Sequence, residues 1–127
     1  MDKLDVIFGL QKKLDTEIVE TRGLTGISKD EWVQKEILAM LSELAELLAE
    51  VNFKWWKNPK EINYDNVKDE IVDIVHFIAS TSLKVGMDAD EMYERYINKN
   101  EENFKRQHGV SLKEGYSIEE FLKGKKE

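Results

Sequence analysis

Four carboxylates at paired helical spacing are the residues of this 127-residue sequence best suited to chemistry. Glu43 and Glu46 lie in the run MLSELAELLAEV, with Glu50 four positions further on. Steps of three and four residues place them on one side of a helix. Glu70, Asp73 and then Phe77 repeat that spacing among Ile71, Val72, Ile74, Val75 and Ile78. A helix that is apolar on most of its circumference is expected to be buried. Carboxylates inside it are costly unless opposite charge lies close by, and no Lys or Arg occupies matching positions on either segment. A divalent cation would neutralise both pairs at once. Hard oxygen donors in a chain without cysteine favour magnesium, or manganese, over zinc. Taken alone, Glu43-x-x-Glu46 fits a solvated helix face; the second pair, set in apolar surroundings, argues for an ion. Glu36, one heptad before Glu43, is expected on the surface.

Helices must position these groups. Leu4, Ile7, Phe8, Leu10, Leu14 and Ile18 recur at helical spacing and predict a first helix over about 2–21. The segment 22–29 holds two glycines and reads as a loop, after which Ser28 or Asp30 caps a second helix over about 30–52. The apolar stripe of that helix is Val33, Ile37, Met40, Leu41, Leu44, Leu47, Leu48 and Val51. A connection rich in aromatic and basic residues, 54–63, contains the sole proline, Pro59. Asn63 or Asp65 then caps a third helix reaching about Lys84, with Gly86 as its stop. Asp88 opens a fourth helix over about 89–107, ended by Gly109, and Ser117 begins a short fifth. The tail, Gly124 to Glu127, is expected to fray. The fold class is therefore all-α: a four-to-five-helix bundle with short connections, expected to dimerise through its helices. It is read as one domain over 1–127, with a core over about 2–109 and a short helix and tail over 110–127.

Composition narrows the function. The apolar fraction of 41% is low and the charged fraction of 35% high, which suits amphipathic helices with solvated outer faces. A net charge of −7 argues against nucleic-acid partners, which call for a basic footprint. It also opposes any anionic substrate unless cations correct the sign locally. With no cysteine there is no disulfide scaffold, thiolate zinc site or cysteine nucleophile, and a reducing cytoplasm is the expected location. No signal peptide is read in the N-terminal run MDKLDVIFGLQKKLD. No segment approaches the roughly 20 apolar residues of a membrane span.

Glu43-x-x-Glu46 followed by Glu70-x-x-Asp73 resembles the metal signature of the all-alpha NTP pyrophosphatases, a superfamily that includes MazG-type enzymes and dimeric dUTPases. Three further stretches resemble the dimeric dUTPase branch: Phe53-Lys-Trp-Trp-Lys57, Asp73-Ile-Val-His76-Phe77 and Lys99-Asn100-x-x-Asn103-x-x-Arg106-Gln107. The chain departs from that branch in having little room for the extra helical insertion of longer members. It also has Val110 after Gly109, where members often have Gly-Tyr; Tyr116 comes later. The resemblance implies hydrolysis of dUTP to dUMP and pyrophosphate, with dUDP as a further substrate and one to three magnesium ions per site. It implies Glu43, Glu46, Glu70 and Asp73 as metal ligands, with Glu46 also catalytic, and a homodimer or a dimer of dimers.

Candidate substrate-binding residues follow. Lys99, Asn103 and Arg106 rise by four and three residues, so they share a helix face and could grip phosphates. Trp56, with Trp55 beside it, and Phe77 offer stacking faces for a base. Gln11 has an amide able to pair with a uracil edge, and His76 follows Asp73 by three residues. The alternatives are a MazG-like or dCTP-type pyrophosphatase of broader specificity, and a non-catalytic helical module using the aromatics of 53–56 as a partner patch.

Overall fold

The computed structural model describes residues 1–126, and Glu127, the end of the tail, lies outside the described residues. Among the described residues are five helices, α1 (Lys3–Arg22), α2 (Lys29–Glu50), α3 (Tyr64–Lys84), α4 (Ala89–Gln107) and α5 (Ile118–Lys126). There is no strand among the described residues. No helix is long and apolar enough to cross a membrane among those residues. The chain forms two compact units, Met1–Ala89 and Asp90–Glu127.

The sequence writes the helix ends of the first unit clearly. Asp2 and Asp5 form a reciprocal capping box, each backbone N–H donating to the other's carboxylate at 2.9 and 3.2 Å. Gly23 closes α1 in the left-handed region at φ 64°, where a side chain would be strained. Ser28 accepts from the Glu31 N–H and starts α2, and Asn63 accepts from the N–H groups of Asp65 and Asn66 to start α3. The connection between α2 and α3 turns at Asn52, which is left-handed at φ 58°. The Asn52 amide clasps Lys60 through both of that residue's backbone groups, at 2.7 and 2.9 Å. The loop so closed carries Trp55 and Trp56.

In the first unit α3 is the common element, since both α2 and α1 pack along it. Three helices cover little of one another. Phe8, Ala79 and Ala89 are the buried apolar residues, while Ile37, Leu41, Leu44 and Leu48 of α2 and Ile71, Val72, Val75 and Ile78 of α3 stay exposed. The apolar circumference of α3 is thus not enclosed by this chain alone, contrary to the expectation of a buried helix. Polar groups occupy much of the interior instead: Gln11, Glu36, Ser80 and Ser82 are buried.

The second unit comprises the rest of α4, a turn-rich link and α5. Gly109 ends α4 at φ 73°, and a Cβ there would sit 3.2 Å from Ile118 Cγ1, so both backbone shape and space require glycine. Helix α5 runs past Gly124 to Lys126.

Candidate metal centre

Glu43 and Glu46 come from α2 and Glu70 from α3, the pair of helices most closely packed. One carboxylate oxygen from each of the three lies within 4.8 Å of the other two. Glu46 is exposed and the other two are half-buried. Glu43 Oε2 and Glu70 Oε2 are buried atoms with no hydrogen-bond partner. Buried polar atoms almost always find partners, so two orphans on adjoining carboxylates fit a site built for a cation. Desolvation is the largest cause raising the Glu70 carboxyl to about 7, followed by repulsion from Glu46 and the contacts with Glu43 and Asp73. Glu43 is raised as well, by desolvation first and by Glu46 second. The donors are all oxygens, which suits a hard divalent ion.

Asp73 is exposed and lies outside that three-oxygen group, although its charge contributes to raising both Glu43 and Glu70. Glu50 is outside the group too. One turn further along α3, His76 and Phe77 line a cavity of about 340 Å³ together with Gln11, Asp15, Trp32, Glu36, Ser80 and Lys84. Gln11 is buried there; its Oε1 lies 2.6 Å from His76 Nδ1, and its Nε2 donates to Asp15 at 2.9 Å. The cavity therefore brings Gln11 of α1 to His76 and Phe77 of α3, 65 positions further along the chain.

Glu36 corrects the expectation of a surface residue, being only 5% exposed. It accepts hydrogen bonds from Ser80 at 2.6 Å, Thr81 at 2.7 Å and the Lys84 ammonium at 2.5 Å. Lys84 also pairs with Asp15 at 3.5 Å and lies over the Trp32 ring at 4.9 Å. A buried carboxylate persists when donors surround it, and here α3 supplies three. Sequence reasoning missed this network. Its available signal was the run Ser80-Thr81-Ser82 with Lys84, polar groups placed where an otherwise apolar helix packs.

Trp56 is not in that cavity. It sits on the connecting loop, 61% exposed, edge-on to Trp55 at 4.7 Å and to Phe53 at 6.3 Å. Beside it Phe53, Asn52, Lys54, Lys57 and Lys60 line a basic hollow of about 220 Å³.

In the second unit, Lys99 and Asn103 of α4 are exposed. Arg106 is half-buried; its Nε donates to Glu102 at 3.1 Å, and its guanidinium lies 5.3 Å from the centre of the Tyr116 ring. The Ser111 hydroxyl, and after it Arg106, hold the Glu102 carboxyl below its ordinary value. Tyr116, late in sequence, thus returns to the arginine of the Lys-Asn motif.

The chain is 32% identical over 87 residues to a dCTP pyrophosphatase of Enterobacteria phage T4, with 58% of this chain and 51% of that protein covered. The chain spans about half the length of this curated relative. No solved structure matches the chain. Residues 3–91, which hold all of the acidic cluster and the cavity, match the family model described as dUTPase, and the chain belongs to that family, in its all-α, MazG-like form.

Proposed function

We propose that this protein is a magnesium-dependent deoxynucleoside-triphosphate pyrophosphohydrolase whose preferred substrate is dUTP. The observation that carries the proposal is the three-carboxylate group of Glu43, Glu46 and Glu70, with two buried oxygens lacking partners. In the reaction a water oxygen bonds to the α-phosphorus and the bond from that phosphorus to the bridging oxygen breaks. The products are dUMP and pyrophosphate, and the protons of the water pass to solvent and product.

Glu43, Glu46, Glu70 and Asp73 would hold the cation. Magnesium bound there would neutralise phosphate charge and make a water more acidic. Glu46, the exposed member of the group, orients the attacking water by accepting its hydrogen bond. Gln11, His76 and Phe77 receive the nucleoside in the cavity beside the cluster. Residues 70 and 76 share α3, and six helical steps separate them by about 9 Å along its axis. A sugar and its first phosphate bridge a gap of that order. The motif that Lys99, Asn103 and Arg106 belong to supports a role for them as phosphate ligands. A homodimer, or a dimer of dimers, is the working form, because the apolar faces of α2 and α3 find no cover within one chain.

A second reading is favoured by the phage relative, whose name is dCTP pyrophosphatase. It makes the enzyme a cytosine-accepting or broader member of the same reaction class. Initial rates on dUTP, dCTP, dTTP and dATP with magnesium separate the two. At least a tenfold preference for dUTP in kcat/KM supports the first reading; a dCTP preference or equal rates establish the second. In the same assay Glu70→Gln is expected to lower kcat/KM more than about a hundredfold, since weakening groups behind a metal's ligands alone costs 10–100-fold. Activity retained by Glu70→Gln defeats both.

A further inference from the structure

The polar network at the back of the cavity does more than fill space. Asp15 faces the Gln11 amide at 2.9 Å and the Lys84 ammonium at 3.5 Å, and at 2.7 Å the Ser80 hydroxyl, whose single proton it shares with Glu36. A carboxylate can only accept hydrogen bonds, so the Gln11 group facing it must be the NH₂. That fixes the other end of the amide: the group 2.6 Å from His76 Nδ1 is the oxygen, Oε1. An amide oxygen also only accepts, so Nδ1 of His76 must carry a proton. In the neutral ring the remaining nitrogen, Nε2, then has a free lone pair, and no residue among those described bonds to it.

We propose that Asp15, itself anchored by Lys84 and Ser80, acts through Gln11 as a positioning residue. It locks His76 in the Nδ1–H tautomer, so that the ring offers its Nε2 as a hydrogen-bond acceptor to whatever the cavity binds. The ligand group that meets His76 is therefore a donor, a hydroxyl or an imide N–H, and not a carbonyl. A deoxyuridine nucleotide has one of each, the sugar 3′-hydroxyl and the base N3–H. Without Asp15 the Gln11 amide is free to turn over. Its NH₂ would then face Nδ1, the proton would move to Nε2, and the same histidine would become a donor.

Nitrogen-15 NMR of the free protein tests the lock directly, because His76 and His108 are the two histidines and His108→Gln leaves one signal set. At about pH 8, well above the ordinary histidine value of about 6.5, the His76 ring is expected to show a protonated Nδ1 and a pyridine-like Nε2. Asp15→Asn, whose side chain can donate or accept, is expected to give a mixture of both tautomers. Gln11→Met, which leaves Nδ1 with no partner, is expected to do the same. A wild-type ring protonated at Nε2 overturns the lock, and so does an unchanged tautomer in both variants. These measurements need no substrate.

The ligand arm rests on the proposed function. Addition of dUMP is expected to move the Nε2 signal, and either the 3′-deoxy or the N3-methyl analogue is expected to lose that movement, which names the donor. If dUMP shifts the Phe77 resonances while Nε2 stays still, or if both analogues move Nε2 as dUMP does, the acceptor role is overturned. If dUMP perturbs no resonance, the dUTP reading fails while the tautomer result stands by itself.

Discussion

Glu70 concentrates the physics of the site in one side chain. Its carboxyl titrates at about 7 in the fold, against an ordinary value of 4.5, chiefly through desolvation and the neighbouring charge of Glu46. Between those two values the folded chain binds a proton that the unfolded chain has released. Stability without cation is therefore greatest below the ordinary value and falls as pH rises through about 7. A cation reverses the trend, because it binds the deprotonated carboxylates and competes with the proton. Melting curves in EDTA are expected to give a higher Tm at pH 5.5 than at pH 7.5, with millimolar magnesium removing or inverting the difference. Glu70→Gln, neutral at every pH, should flatten the EDTA profile and weaken the magnesium response; a pH slope as steep as wild type would assign it to other groups. The three clustered glutamates were legible in the sequence because one helical period places Glu43 and Glu46 together and the apolar context marks Glu70. Asp73 has the same spacing on α3, yet its side chain is exposed and outside the tight group, so spacing alone does not decide which acids converge. Glu36 was illegible for a different reason. Its donors Ser80, Thr81 and Lys84 lie 44 to 48 positions away, and nothing in the local pattern of α2 reports them.

At the scale of elements, the sequence specified what is local and missed what closes over a distance. Helices α1, α2 and α3 begin within a residue or two of the ends predicted from their caps, because Asp2, Ser28 and Asn63 bond to N–H groups two or three residues on. The end of α2 fell two residues short of its expected limit. Val51 continues the apolar stripe in sequence, but Asn52 takes a left-handed conformation and turns the chain into its clasp with Lys60. Periodicity carries no sign of a bond spanning eight residues. Two contributions can be separated there by mutation. Asn52→Gly keeps access to the left-handed region and loses the clasp, whereas Asn52→Ala loses both. Each hydrogen bond is worth about 1 kcal/mol at most in this exposed setting, and a non-glycine residue in that region costs about 1–2 kcal/mol. Urea unfolding should rank wild type first, Asn52→Gly second and Asn52→Ala last, the alanine variant falling about 2 kcal/mol below wild type. Equal stability of the two variants would mean that the backbone conformation contributes nothing.

The molecule as a whole leaves one energetic question open on its surface. Ile37, Leu41, Leu44 and Leu48 follow one another by four, three and four residues, the spacing of a seam between packed helices, and all four are exposed. Ile71, Val75 and Ile78 repeat the pattern on α3, also exposed. Large apolar side chains stabilise by about 1.5–3 kcal/mol each when buried. Only three apolar residues are fully buried, so covering these half-exposed stripes adds substantially to the burial of the unit. Stripes on two neighbouring helices match the same stripes on a second copy, which is how a two-fold interface becomes self-complementary. A stable interface of this kind buries about 800 Å² per partner, within reach of two exposed helix faces. Light scattering is accordingly expected to give twice the 14.9 kDa chain mass, or four times that mass for a dimer of dimers. The melting temperature should rise with protein concentration, as it does when folding and association are linked. Leu41→Asp places a charge in the middle of the seam and should lower the mass toward a single chain and the melting temperature with it. Leu112→Asp changes a fully exposed leucine outside the seam and should alter neither. A wild-type chain that runs as a monomer with a concentration-independent melting temperature would mean that the stripes serve some other partner.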